Sequence, residues 1–148
     1  MGSFVVHQQI RAPQERVYAL IEDVAGTADR VAGIDRIEML TDGPLRVGTR
    51  WRETRGKMGT EELEIVSLEP GVGYTAACDS CGCHFESMLR CEANEQGTRL
   101  SIITSWRQLT LMARLMRPLE LLTIPMMRRM MAQDLDGIRI AAESQGEE

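Results

Sequence analysis

The densest chemistry in this chain is the run Cys78-Asp79-Ser80-Cys81-Gly82-Cys83-His84. Thiolates are the ligands that zinc and copper(I) favour, and Cys-x-x-Cys is the usual first half of a zinc site. In a hairpin with Cys81 in its turn, Cys78 and Cys83 face each other, and three sulfurs can surround one ion. A second half is missing. His84 projects opposite Cys83 in a continuous strand, and Cys91, on the same side as Cys83, lies eight residues further along. Gly82 stands where a c-type haem attachment needs His, and no helix opens at the pair as in a thioredoxin-like motif. Three readings stay open for Cys78, Cys81 and Cys83: a zinc or copper site, a redox pair, or small half-buried residues near a hairpin tip.

A second group alternates along one strand. Trp51, Glu53 and Arg55 share one face, and Arg50, Arg52 and Thr54 share the other. If Trp51 faces an apolar interior, a carboxylate and a guanidinium go inward with it. Such a pair can orient the polar end of a ligand, and a buried Glu53 can be tuned into an acid or base, which makes it the candidate catalytic residue. The same residue types also make an ordinary ion pair at the open rim of a sheet. A bulge of one residue would reverse the faces.

Six of the ten methionines, Met112, Met116, Met126, Met127, Met130 and Met131, fall in the last third of the chain. Thioethers are flexible and polarizable, so they line adaptable pockets or fill irregular gaps in a core. Met126, Met127, Met130 and Met131 are the candidates for a cavity wall, with Leu122 beside them. Aromatic residues are few. Only Trp51, Trp106, Tyr18, Tyr74, Phe4 and Phe85 can stack on a ring, and Tyr74 and Phe85 lie on adjacent predicted strands. Plain sheet packing is the alternative for both. Arg114, Arg117, Arg128 and Arg129 around the methionines suit a contact with a second subunit, and less a membrane surface.

These residues must be positioned by one domain spanning residues 1–148, since a chain of this length builds one core without staples. Phe4–Ile10 reads as a strand. Ala12-Pro13 opens a helix, with Pro13 at its first position and Val17, Leu20, Ile21 and Val24 on its apolar face. A short helix around Thr27–Val31 follows. The period then falls toward two, which predicts strands at Ile34–Leu40, Val47–Arg55, Glu61–Leu68, Gly73–Cys78, Cys83–Glu92 and Thr98–Trp106. Their short, turn-rich separators favour consecutive antiparallel pairing. After Gln108 the helical period returns. One stripe is Leu111, Leu115, Leu119, Leu122 and Met126; another is Leu121, Ile124, Met127, Met131, Leu135, Ile138 and Ala142. Pro118 and Pro125 each remove a backbone donor, so the end is either one bent helix or a short segment before a long one. The tail Ser144–Glu148 is expected to fray.

Net charge is −5, from 22 acidic and 17 basic groups. That lacks the basic footprint of a nucleic-acid reader. No uncharged stretch approaches the ~20 residues that cross a bilayer, so stable membrane insertion is not expected. Without an export signal the expectation is a cytoplasmic protein whose cysteines are mainly reduced thiols.

Four stretches, in this order, tie the chain to a known family: Ile10-Arg11-Ala12-Pro13-Gln14-Glu15-Arg16-Val17-Tyr18, Gly43-Pro44-Leu45-Arg46-Val47-Gly48-Thr49-Arg50-Trp51, Gly97-Thr98-Arg99-Leu100 and Asp134-Leu135-Asp136-Gly137-Ile138. With the element order, they resemble the polyketide cyclase/dehydrase branch of the START-like (SRPBCC) superfamily over nearly the whole chain. The resemblance implies an α+β helix-grip fold, in which a curved antiparallel sheet wraps a long C-terminal helix around an apolar cavity. It implies binding of a small hydrophobic molecule such as a lipid, polyketide or aromatic, or a cyclase/dehydratase acting on one. It supplies no catalytic residue by position and no cofactor.

Overall fold

The computed structural model describes residues 2–145. The N-terminal strand β1 covers Gly2–Ile10, and α1 covers Gln14–Glu22. Pro13 does not open α1 from within. It is the cap residue, with extended backbone (φ −66°, ψ 154°), and its carbonyl accepts the N–H groups of Arg16 and Val17. A 3-10 turn at Val24–Gly26 leads into the single helical turn α2, Thr27–Arg30. The strands β2 (Arg36–Met39), β3 (Arg50–Thr54), β4 (Thr60–Glu69), β5 (Gly73–Ser80), β6 (Cys83–Asn94) and β7 (Gly97–Gln108) follow. The first two are shorter than their apolar alternation predicts and the last four longer.

All seven strands form one antiparallel sheet in the order β1-β7-β6-β5-β4-β3-β2. Consecutive strands from β2 to β7 are neighbours, as short connections require. The chain's first strand instead closes onto its last, with Val5 opposite Ile103. A bulge interrupts β4 between Ile65 and Ser67. It lies beyond the Trp51–Leu63 pair, so the faces of β3 stay as read from alternation. Trp51 is buried while Arg50 and Arg52 are exposed and pair with Glu62 and Glu38.

The C-terminal segment follows the second of its two predicted forms. A short helix α3, Leu111–Leu115, is capped by Thr110, whose Oγ1 accepts the Ala113 N–H at 3.1 Å. A 3-10 turn at Arg117–Leu119 carries Pro118, and α4 then runs unbroken from Glu120 to Gln145 across Pro125. Ser144 is helical and its hydroxyl donates to the Ile140 carbonyl at 2.7 Å, while residues 146–148 lie outside the described residues. Of the two stripes, Ile124, Met127, Met131, Leu135, Ile138 and Ala142 pack on the sheet. The other stripe does not: Leu111, Leu115 and Leu122 are 73–75% exposed, and so is Leu121.

The core gathers where α1 and the second half of α4 press on the sheet. Ile10, Val17, Leu100, Leu135 and Ala142 are fully enclosed there. Gly137 permits this seat on α4. A Cβ at that position would stand 2.5 Å from the backbone carbonyl oxygen of Arg30, so only glycine lets the helix come this close to α2. Among the described residues no helix is long and apolar enough to cross a membrane.

Candidate ligand cavity

The concave face of the sheet has two halves. One half meets α1 and the C-terminal part of α4 and is solid core. The other half, beneath α3 and the first turns of α4, borders a half-open cavity of about 890 Å³. The sheet lines it with Leu63, Ala76, Phe85, Ser87, Thr104 and Trp106, and the helices with Met112, Met116, Leu119, Met126, Met127, Met130 and Met131. The volume lies in the range of small-molecule sites, ~300–1,000 Å³.

Seven of the ten candidate ligand-binding residues border this space: Glu53, Arg55, Phe85, Met126, Met127, Met130 and Met131. Three stand elsewhere. Trp51 shares a face with Glu53, but its end of β3 lies over the solid half. It is 3% exposed, and its indole Nε1 has no hydrogen-bond partner among the described residues. Tyr74 is likewise core, its hydroxyl donating to the Ile21 carbonyl at 3.1 Å. Burial, with the Glu53 charge nearby, holds the Tyr74 pKa well above its ordinary value. Leu122 faces away from the sheet. A strand's inward parity therefore meant two destinations here, core or cavity, according to which helix covers it.

At the cavity edge, β3 ends and Arg55 turns inward. Its Nε donates to Glu53 Oε2 at 2.8 Å. Its two terminal nitrogens form a fork on Asp134 of α4, Nη1 to Oδ1 at 3.1 Å and Nη2 to Oδ2 at 2.6 Å. The side chains are 17%, 14% and 10% exposed for Glu53, Arg55 and Asp134, so this is an enclosed group and not a pair on a solvated rim. Burial works against the Arg55 charge, yet the hydrogen bonds and charges of Asp134 and Glu53 hold its pKa above the ordinary value. Burial pushes the Asp134 carboxyl up and the bonds and charge of Arg55 pull it down; Glu53 adds to the rise, and the net shift is upward. Both shifts have one origin: two carboxylates share one cation away from water. Asp134 carried no signal as a site residue in the sequence, although it opens one of the stretches that resemble the family.

Several of the remaining polar groups of the lining are paired within the wall. Ser80 Oγ donates to Glu61 Oε1 at 2.7 Å, the Ser87 and Thr104 hydroxyls are 3.2 Å apart, and Gln108 Nε2 donates to Glu120 Oε1. Trp106 was visible in the sequence only as an aromatic residue. It sits in the wall between Phe4 and Phe85, with ring centroids 5.9 Å and 6.4 Å away.

The cysteine run forms the β5–β6 hairpin, but its register differs from the expected one. Ser80 pairs with Cys83 and Cys78 with Phe85, so Cys78 and Cys83 are diagonal and do not face each other. Cys81 and Gly82 make the two-residue turn, with φ of 53° and 77°. Both angles are positive, as in the type I′ turn that suits hairpin twist. Cys78, Cys81 and Cys83 border the cavity, while His84 points the other way, its Nδ1 2.6 Å from Asp79 Oδ1. Among the described residues no three His, Cys, Asp or Glu side chains gather to hold a metal ion. All four cysteines are free, Cys91 buried in the core far along β6. His7, which had no evident partner in the sequence, has its Nδ1 2.8 Å from Ser101 Oγ.

Burial raises the Cys78 thiol to about 11, with Glu61 and Asp79 adding to it, and burial alone raises Cys91 to about 12. Thiolate is the reactive form, so labelling at pH 8 should be ordered. With Ellman's reagent, exposed Cys81 is expected to react first, Cys78 slowly, and Cys91 only once denaturant is added. Release of all four thiols in a single fast phase from the native protein would contradict this packing.

A curved antiparallel sheet gripping a long C-terminal helix over an apolar cavity defines the Bet v 1-like, or START-like, class. The chain belongs to the polyketide cyclase/dehydrase and lipid transport family, whose model matches residues 1–143. Its fold is similar to that of TTHA0849 from Thermus thermophilus, at TM-score 0.79 and 18% identity over 97% of this chain and 99% of that one. It is also similar to the ZhuI aromatase/cyclase of Streptomyces sp. R1128, at TM-score 0.75 and 18% identity over 96% and 93%. Ginseng major latex-like protein 151 from Panax ginseng matches at TM-score 0.73 and 9% identity, over 95% and 97%. Comparison with curated protein sequences gave no match.

Proposed function

We propose that this protein holds one small, largely apolar molecule between the sheet and the α3–α4 segment. The observation that carries the reading is the cavity of about 890 Å³, walled by Leu63, Phe85, Trp106 and methionines, beside an otherwise close-packed core. Apolar surface left uncovered inside a fold is stabilised when a ligand removes it from water, at roughly 25 cal/mol per Å². Thioethers let the helical wall adapt to more than one ligand shape.

N-phenyl-1-naphthylamine, a neutral dye whose emission rises in apolar surroundings, tests the reading. It should bind saturably at one site, and Ala76→Trp, which puts an indole into the space from the floor of β5, should abolish the signal while the protein stays folded. A linear, non-saturating response, or saturation unchanged in Ala76→Trp, would sink the reading. Native mass spectrometry of protein purified without added ligand would show whether an organic molecule is retained.

The enclosed Glu53–Arg55–Asp134 group supports a second reading, a cyclase or dehydratase. The walls would then fold a reactive polyketone chain and exclude water, and Glu53 would give or accept the proton. Glu53→Gln would lose turnover while the variant stays folded and keeps its cavity.

A further inference from the structure

The charges of the cavity are unbalanced, and the imbalance selects among ligands. Among the described residues, Glu53, Glu61 and Glu120 border the space, against the single guanidinium of Arg55. That guanidinium is already used: Nε is held by Glu53, and both terminal nitrogens by Asp134. It has no face left to form a fork on a ligand carboxylate or phosphate, which is how Arg ordinarily captures an anion. Among the wall hydroxyls, Ser80 donates to Glu61 and Thr123 to the Glu120 carbonyl, and Ser87 pairs with Thr104. Carboxylate acceptors are what the cavity offers in excess. Glu53 spends Oε2 on Arg55, and its Oε1 has no hydrogen-bond partner among the described residues.

From this geometry we infer that the cavity takes apolar molecules bearing an O–H or N–H donor, neutral or cationic, docked on Glu53 Oε1, and excludes carboxylate-bearing ligands such as fatty acids. The inference rests on the cavity reading above and adds the chemical class of what enters. An anion brought in would meet three bordering carboxylates, while the Arg55 guanidinium, the one cationic side chain bordering the space among the described residues, is held by Glu53 and Asp134, and like charges set together at a desolvated site repel strongly. A donor meets the reverse situation, since its hydrogen bond to a carboxylate is of the stronger, charge-assisted kind. The surroundings of Glu53 agree: the group it shares with Arg55 and Asp134 holds two carboxylates for one cation, so a further donor relieves it.

Four naphthalenes of nearly one shape separate the possibilities: naphthalene, 2-naphthol, 2-naphthoate and 2-naphthylmethylamine, each titrated at pH 7 by displacement of N-phenyl-1-naphthylamine. Naphthol and the ammonium form of the amine should bind at least about tenfold tighter than naphthoate, with naphthalene between them. In Glu53→Gln, the amine should weaken about tenfold and naphthoate gain, while naphthalene is unchanged. Arg55 keeps Asp134 in that variant, so its charge stays paired. Naphthoate binding as tightly as naphthol in the wild type overturns the inference and leaves the cavity reading standing. An ammonium preference that survives in Glu53→Gln overturns the role of Glu53. Failure of the dye and all four naphthalenes to bind overturns both readings together.

Discussion

Arg55→Met should cost about 3–5 kcal/mol of folding stability at pH 7, the usual loss when one member of a buried ionic group is removed. Methionine nearly matches the volume of the arginine stem, so little of the effect comes from packing. What remains is Glu53 and Asp134 on one enclosed site with no cation between them, and side chains only 17% and 10% exposed. The pH dependence gives the signature. Asp134 already titrates above its ordinary value because burial and Glu53 outweigh Arg55. Without Arg55 the lowering contribution disappears and the folded pKa climbs further. A carboxyl whose folded pKa lies above its unfolded value stabilises the fold at pH below the unfolded value, near 4. That stabilisation is lost as pH rises through the folded value. The variant should therefore recover stability as pH falls from 8 to 5, in urea melts at each pH. Asp134→Asn should be milder, because it leaves Arg55 with Glu53 as a matched pair. A loss below about 1 kcal/mol that does not vary with pH would show the triad to be solvated in solution.

Trp106→Ala is expected to cost a similar amount, about 3–5 kcal/mol, by the ordinary cost of truncating a buried indole. The ring is 5% exposed and lies between Phe4 and Phe85. It also sets the edge of the sheet. A Cβ on Gly2 would fall 2.5 Å from its Cζ2, so β1 and β7 close over the indole where only a glycine fits. Removing the ring opens the wall between cavity and core, and the surrounding strands cannot collapse into the gap without breaking the β1–β7 ladder. Trp106→Phe should recover part of the loss. Chemical denaturation checks the stability, and dye titration of the folded fraction should show weaker binding than in the wild type. A variant as stable as the parent would mean that the Phe4–Trp106–Phe85 contacts are not formed.

The parity of β3 was legible because alternation is a local property. Arg50 and Arg52 went out, and Glu53 with Arg55 went in, with the bulge falling harmlessly on β4. The hairpin register was not legible: nothing in Cys78–Cys83 alone says whether the turn holds two residues or four. Taking Cys81 and Gly82 as the turn placed Phe85, not Cys83, opposite Cys78. The stripe Leu111, Leu115, Leu119, Leu122 and Met126 had the periodicity of a buried face, yet Leu111, Leu115 and Leu122 are exposed and only Leu119 and Met126 reach the cavity. Periodicity identifies an apolar face and leaves open whether anything covers it.

By itself the sequence determined the order of elements, the inward face of β3 and the family, because these depend on periodicity, turn residues and the spacing of short stretches. Only the tertiary structure decided which inward residues reach the cavity and which disappear into core. It also brought Asp134 to Arg55 across 79 positions of sequence. That meeting depends on where α4 comes to rest, and Gly137 sets the distance by leaving room for the Arg30 carbonyl. A pairing made by the seating of a helix has no local pattern to announce it.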